Sequence, residues 1–489
     1  MPESARSPRH GDDLRPVETI MNESFVKETR LPVPPEVAFA WHTRDGALER
    51  LIPPWQDVRI LERHGSIRND DRTVLGMKAG PFRVRWTAEH HGYEEGKRFC
   101  DSQREGPFSA WDHARTFLPD DGEGSILRDE ITYRLPFGVP GRWLGGRAVR
   151  KQLEATFSYR HDVTRADLTL HAAYSGPPLT IAVTGSGGLI GSALAPLLTT
   201  GGHRVIRLVR RRAHSPTGEI GWDPGRGILD TSALRSIDGS KSADGSKSID
   251  GIVHLAGLNI ASGRWTRSRR HALRESRITA TRNLVASLRD LDPRPRTLIC
   301  ASAIGIYGDR GDEKLDEDSS YGSGFLADLC KEWESAALAA TELGIRVVTL
   351  RFGNVLSPRG GMLAKLLPPF RFGLGGPLGH GRQVVSWISI DDIVGAIHHC
   401  LTTEDISGAV NVTSPQPVTN NDFTRCLGRV LRRPAIFRVP ALALKLLLGR
   451  MADETALAGS NVTPRRLLES GYSFRHEDLE QALRYLLGR

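Results

Sequence analysis

The chain has 489 residues, more than one hydrophobic core normally serves, so its length points to two or three domains. With 39% hydrophobic and 25% charged residues it has the composition of a soluble globular protein. The net charge of +9 is spread over 66 basic and 57 acidic residues, and the arginine clusters carry no interleaved aromatics, which argues against nucleic-acid binding.

Residues 1–21 are polar and have little to bury, so they are expected to be disordered, and they hold no apolar core of a signal peptide. No apolar run reaches membrane-spanning length; Ala441 to Leu448 is far too short. Cys100, Cys300, Cys330, Cys400 and Cys426 show no paired spacing, which argues against a zinc site or a disulfide framework. A reducing cytoplasm without membrane insertion is the expected setting.

From Phe25 to Tyr174 the pattern is α+β. Val58–Leu61, Arg83–Ala88 and Ile126–Tyr133 alternate at period two, as antiparallel strands with one wet face do. Pro35–Leu51 reads as a first helix and Gly145–Arg160 as a longer closing one. His90, His91 and His113 lack a carboxylate or cysteine partner at ligand spacing, so no metal is expected. Trp86, Phe108 and Trp111 are at least as well explained as core filling as by a ligand. This order, with Pro34 to Phe39 entering the first helix and Gly106 to His113 as its most distinctive piece, resembles the START-like or SRPBCC superfamily. The resemblance implies a helix-grip fold around an apolar ligand, here placed in residues 22–174.

Pro177-Pro178 marks a linker. Thereafter Ile181–Thr184, Val205–Val209, Gly251–Ala256, Thr297–Ser302 and Val347–Arg351 alternate with amphipathic helical stretches. That is the pattern of a parallel, doubly wound Rossmann sheet, placed in residues 179–436. Ser236–Lys241 and Ser242–Lys247 repeat one Ser/Asp/Gly/Lys pattern that builds no core and reads as a surface loop.

The first of these strands runs into Thr184-Gly185-Ser186-Gly187-Gly188-Leu189-Ile190-Gly191. A β-branched run, a turn with Gly185, Gly188 and Gly191 at three-residue intervals, and a following helix make a strand–turn–helix that lays a dinucleotide pyrophosphate on free backbone N–H groups. A glycine triplet alone is weak; the strand before it and the helix after it give it weight. The second strand ends in Arg210-Arg211-Arg212, where an acidic residue would select NAD(H). Arg210, with Arg211 as the alternative, is suited to a 2′-phosphate, so NADP(H) is favoured over NAD(H). Leu255-Ala256-Gly257 lets the backbone approach the cofactor, and Ser302 ends a strand on the ligand side of the sheet.

At this point the chain resembles the atypical, epimerase-like branch of the extended short-chain dehydrogenase/reductase superfamily, and more narrowly its "epimerase family". The resemblance rests on Trp222-Asp223-Pro224, Leu255 to Gly257 with Arg264-Trp265, Ser276 to Thr281, Gly373 to Gln383 and Ser386-Trp387-Ile388. It implies that Val355, in Arg351 to Leu356, covers the nicotinamide. It also implies a helical C-terminal domain of unknown function over residues 437–489.

The superfamily's Tyr-x-x-x-Lys acid is missing: Ala327 stands four residues before Lys331, and Tyr321 stands ten before it. Ser302, Tyr307 and Lys331 are the catalytic candidates, with Asp328 a further substitute, and none has the required spacing. Three readings therefore stay open: an NADP(H)-dependent epimerase or oxidoreductase acting on an unidentified small molecule, a non-catalytic NADP(H) sensor, and a hydrophobic-ligand carrier regulated by nucleotide binding. Oligomeric state is left open.

Overall fold

The computed structural model describes residues 22–79, 82–210, 218–235 and 249–489. The tail 1–21, Arg211 and the repeat in residues 236–247 lie outside the described residues.

The N-terminal part carries a seven-stranded antiparallel sheet in the order β1-β7-β6-β5-β4-β3-β2. Its strands are β1 (Glu23–Leu31), β2 (Val58–His64), β3 (Arg72–Ala79), β4 (Phe82–Glu94), β5 (Arg98–Glu105), β6 (Ala110–Pro119) and β7 (Ser125–Arg134). Two short helices, α1 (Pro35–Thr43) and α2 (Ala47–Leu51), stand where the sequence predicts one. They part at Gly46, which has φ +91° and packs on the next domain; a Cβ there would lie 2.6 Å from Pro196 Cα. The closing helix α3 (Gly138–Ala172) exceeds the predicted span at both ends. It lays Phe157 against Phe25 and His113 over the sheet.

The inner face of this sheet is not purely apolar. Asp129 is fully buried and accepts from Arg115 Nε at 2.7 Å and Nη2 at 2.8 Å, from His113 Nε2 at 3.0 Å and from His161 Nε2 at 2.9 Å. Burial works against a charged His113, but Asp101 and Asp129 on its two nitrogens raise its pKa above the ordinary value. The aromatic residues complete this interior, with Trp86, Phe108, Trp111 and Tyr133 in edge and tilted contacts.

The strands of the second sheet are, in chain order, β8 (Thr180–Thr184), β9 (Arg204–Val209), β10 (Glu219–Asp223), β11 (Ile228–Leu229), β12 (Gly251–His254), β13 (Thr297–Ala303), β15 (Arg346–Phe352) and β17 (Gly408–Val412), with a two-residue β14 (Lys314–Leu315) between β13 and β15. They lie in the order β11-β10-β9-β8-β12-β13-β15-β17, parallel except for the β10–β11 pair. Every residue of β8 and β12 is buried, because helices cover both faces. Those helices include α4 (Gly191–Thr200), α5 (Thr231–Arg235), α6 (Arg267–Arg274), α7 (Ala280–Leu288) and α8 (Phe325–Leu338). A strand β16 (Asn354–Ser357), α9 (Gly361–Arg371) and α10 (Ile390–Thr402) follow, and Leu479–Leu487 forms the last helix. Among the described residues no helix is long and apolar enough to cross a membrane.

The domains meet through buried charge. Arg50 of α2 grips Asp167 of α3 with Nε at 2.7 Å and Nη2 at 2.6 Å, and reaches Asp391 of α10 with Nη1 at 3.0 Å. Arg44 Nη1 donates to the Thr200 carbonyl at the C-terminus of α4, and Thr199 Oγ1 donates to the Asp45 carbonyl.

Candidate dinucleotide site

Strand β8 ends at Thr184, and the turn to α4 is made by Gly185 to Ile190. Gly185 has φ +67°, and a Cβ there would stand 2.8 Å from the Leu255 carbonyl. A Cβ on Gly191 would stand 2.4 Å from the Gly185 carbonyl, so the first and last glycines close the turn and seat the helix on the strand. Gly187 is exposed and faces open space. Among the described residues no acceptor meets the N–H groups of Leu189 and Ile190. A bare backbone beside a helix N-terminus fits a phosphate, which needs close approach, N–H donors and the positive helix end.

The neighbouring strand end is fixed by a buried chain of hydrogen bonds. Thr184 Oγ1 accepts from the N–H groups of Leu255 at 3.1 Å and Ala256 at 3.2 Å, and lies 2.7 Å from His254 Nδ1. Thr281 Oγ1 donates to the Arg277 carbonyl at 2.6 Å, accepts from Trp333 Nε1 at 3.0 Å and lies 3.0 Å from His254 Nε2. Each hydroxyl has one proton, so the network assigns Nε2–H to His254 and leaves its Nδ1 to accept from Thr184. Burial pushes the His254 pKa down to about 4, in keeping with a neutral ring. Thr184 therefore shapes the site from beneath, and Leu255, Ala256 and Gly257 form its rim. The sequence offered Thr281 as the end of the Ser276–Thr281 motif and His254 as the residue closing an apolar strand, but gave neither of them, nor Trp333, a role in the site.

Arg210 follows β9 and is exposed, with no partner among the described residues. Val355 lies half-buried on β16, and its carbonyl is 2.9 Å from where a Cβ on Gly361 would stand. The adjacent Gly360 leaves room for Leu189, whose Cδ1 would lie 3.1 Å from a Cβ there. The loop after β16 thus closes on the glycine-rich turn.

The catalytic candidates have other occupations. Ser302 Oγ donates to Glu334 at 2.6 Å, and Glu334 holds Arg351 at 2.9 Å with both carboxylate oxygens. Arg351 Nη1 donates to the Tyr307 hydroxyl at 2.8 Å, which donates to Asn411 Oδ1 at 2.8 Å. Tyr307 is fully enclosed, and burial raises its pKa against the pull of Arg351, so it is a core residue and not an acid facing a substrate. Lys331 donates to the Gly322 carbonyl at 2.9 Å and is 3.8 Å from Asp328. The structure does bring Lys331 to Tyr321, whose ring centroid lies 5.7 Å from the ammonium, because the loop before α8 folds back over the helix. Spacing along the chain did not reveal that pair. Among the described residues no group of three His, Cys, Asp or Glu side chains is arranged to hold a metal.

Comparison with known proteins agrees with this geometry. Residues 181–413 match the NAD dependent epimerase/dehydratase family, residues 31–157 match polyketide cyclase / dehydrase and lipid transport, and residues 439–486 match a domain of unknown function. An epimerase family protein of Mycobacterium bovis is 43% identical over 309 residues, 63% of this chain and 98% of that protein. The crystal structure of a nucleoside-diphosphate sugar epimerase from Corynebacterium glutamicum is similar over 95% of this chain and 90% of its own, with a TM-score of 0.75 and 33% identity. That of the human epimerase family protein SDR39U1, solved with NADPH, covers 63% of this chain and 99% of its own, with a TM-score of 0.56 and 31% identity. The α/β sheet, the glycine-rich turn and these relatives together place the chain in the NAD dependent epimerase/dehydratase family.

Proposed function

We propose that the chain binds NADP(H) across the C-terminal ends of β8 and β12 and acts on a small molecule as an epimerase- or oxidoreductase-like protein. The observation that carries this reading is the turn from Gly185 to Gly191, with open space at Gly187 and unmatched N–H groups at Leu189 and Ile190. Gly185, Gly187, Gly188, Leu189, Ile190 and Gly191 would hold the pyrophosphate. Leu255, Ala256, Gly257 and Val355 would line the ribose and nicotinamide, over Thr184 and Ser302. When bound, the nicotinamide supplies hydride transfer. The human relative was solved with NADPH, which supports the phosphorylated cofactor.

Arg210 is the residue for selectivity. An exposed guanidinium at the end of β9, free of a carboxylate among the described residues, is placed for a charge-assisted bond to a 2′-phosphate. Such a bond is worth roughly 1.5–3 kcal/mol, or about tenfold to hundredfold in affinity. Calorimetric titration should show NADPH binding more tightly than NADH by that factor, and Arg210→Ala should remove most of the difference. Equal affinity of the unaltered protein for both cofactors would refute the assignment.

We read the chain as three units, residues 22–174, 179–436 and 437–489. A second reading concerns the first of them. A cleft of about 520 Å3 opens beside α1, lined by Phe39, Ala40, Ile67 and Tyr93 and equally by polar side chains, Glu36, Thr43, Ser66, Arg68 and Glu95. Its size suits a small ligand, and the match to polyketide cyclase / dehydrase and lipid transport supports an apolar one. Ligands retained by the purified full-length chain, identified by mass spectrometry, test this reading.

A further inference from the structure

Four arginines are buried among the described residues: Arg50, Arg115, Arg277 and Arg351. Arg50 is held by Asp167 and Asp391, Arg115 by Asp129, and Arg351 by Glu334. Arg277 has no carboxylate among the described residues. Its Nη2 donates to the Leu258 carbonyl at 2.9 Å and its Nη1, at longer range, to the Leu273 carbonyl at 3.5 Å and Ser276 Oγ at 3.4 Å; its Cζ stands 5.1 Å from the Trp333 ring centroid, and its Nε is buried without a partner. Neutral acceptors return less than the hydration a buried guanidinium loses. Burial pushes Arg277 down to about 10, whereas carboxylates overrule burial at Arg50 and Arg351 and hold both above the ordinary value.

The position of this charge is as informative as its isolation. Arg277 sits in a π-helical turn, Glu275–Thr279, between α6 and α7; such bulges re-aim side chains and recur at functional sites. A Cβ on Gly257 would lie 3.2 Å from the guanidinium carbon, so only a glycine backbone separates the charge from the exposed rim of β12. Arg269 holds the next carbonyl along, donating to Asn259 O at 2.7 Å and to Ser262 Oγ, and its Nε is likewise buried without a partner. Between Gly257 and Thr281 the chain places six arginines against one acidic residue, Glu275.

We propose that Arg277 and Arg269 form an anion subsite at the C-terminal end of β12, which takes a phosphate or carboxylate group of the substrate. Two guanidinium groups on successive carbonyls, each with an Nε–H left without an acceptor, match either group in charge. The placement beside the cofactor rests on the dinucleotide reading, whereas the subsite itself rests on the unmatched charge.

The test begins with NADPH titration of the full-length protein, which decides the dinucleotide reading alone. The loaded protein is then titrated calorimetrically with inorganic pyrophosphate and with malonate, which distinguish phosphate from carboxylate sources. At least one anion should bind without displacing NADPH. Arg277→Met should weaken that binding by about tenfold or more, and Arg269→Gln, at the half-buried rim, by roughly threefold. The second variant keeps the test open if the first does not fold. If NADPH itself fails to bind, the same anion titrations on the free protein still decide the subsite. Absence of binding by both anions, displacement of NADPH, or unchanged affinity in the folded variants would overturn the proposal.

Discussion

Tyr307 and Lys331 are the side chains on which catalysis would turn if the protein used the acid of its superfamily. The Tyr307 hydroxyl joins Arg351 to Asn411 inside the core, and the Lys331 ammonium is tied to the Gly322 carbonyl. Tyr307→Phe removes only the hydroxyl and leaves an arginine N–H and an amide oxygen buried without it. It should lower unfolding free energy by about 1–3 kcal/mol in denaturant titration and leave NADPH affinity unchanged. Lys331→Met should leave NADPH binding nearly intact. With a carbonyl substrate in hand, neither variant should show the loss of about 10²- to 10⁴-fold that removal of a general acid produces. A loss of that size in either would return it to the reaction.

Strands β8 and β12 carry the two halves of the proposed dinucleotide site, and a single hydroxyl joins their ends. Thr184 satisfies two N–H groups of the Leu255–Ala256 rim while donating to His254, so the rim stays where the glycine-rich turn needs it. Gly185 closes against the same rim, with a separation that admits no side chain. Thr184→Val keeps the shape and removes these bonds. It should cost about 1–3 kcal/mol of stability, because the Ala256 N–H and His254 Nδ1 lose their partner, while the Leu255 N–H keeps the Thr184 carbonyl at 3.3 Å. NADPH affinity should fall with it; a variant with normal affinity would show that the rim holds its place without Thr184.

Across the whole chain, the N-terminal domain is built onto the second one and not merely linked to it. Arg50 holds Asp167 from its own domain and Asp391 from the other, and Arg475, itself bonded to Tyr485 at 2.6 Å, lies 3.8 Å from Asp391. Arg44 adds a positive charge at the C-terminus of α4, the helix whose other end receives the proposed pyrophosphate. Arg359, in the loop that closes on Leu189, donates to the Ile52 carbonyl at 3.1 Å. Arg50→Ala would leave two buried carboxylates without their main cation and should cost about 3–5 kcal/mol. Calorimetry should show the domains losing their common transition and melting separately. A single transition at the original temperature would contradict a clamp at this position.

The sequence by itself determined the α/β class, the turn from Gly185 to Gly191 and the family, because these rest on local signals. A buried parallel strand is a continuous apolar run, and a phosphate turn needs glycines at set intervals. The helix-grip order was also legible, whereas the buried polar cluster of Asp129, Arg115, His113 and His161 was not, because it joins residues of different elements. What only the tertiary structure decided is the set of partnerships between residues distant in the chain. Thr184 with His254, Ser302 with Glu334, Tyr321 with Lys331 and Arg50 with Asp391 are separated by ten to 341 positions. No period or spacing encodes such pairs. Whether a buried charge is neutralised, as at Arg351, or left unmatched, as at Arg277, depends on which side chains folding brings within about 3 Å of it.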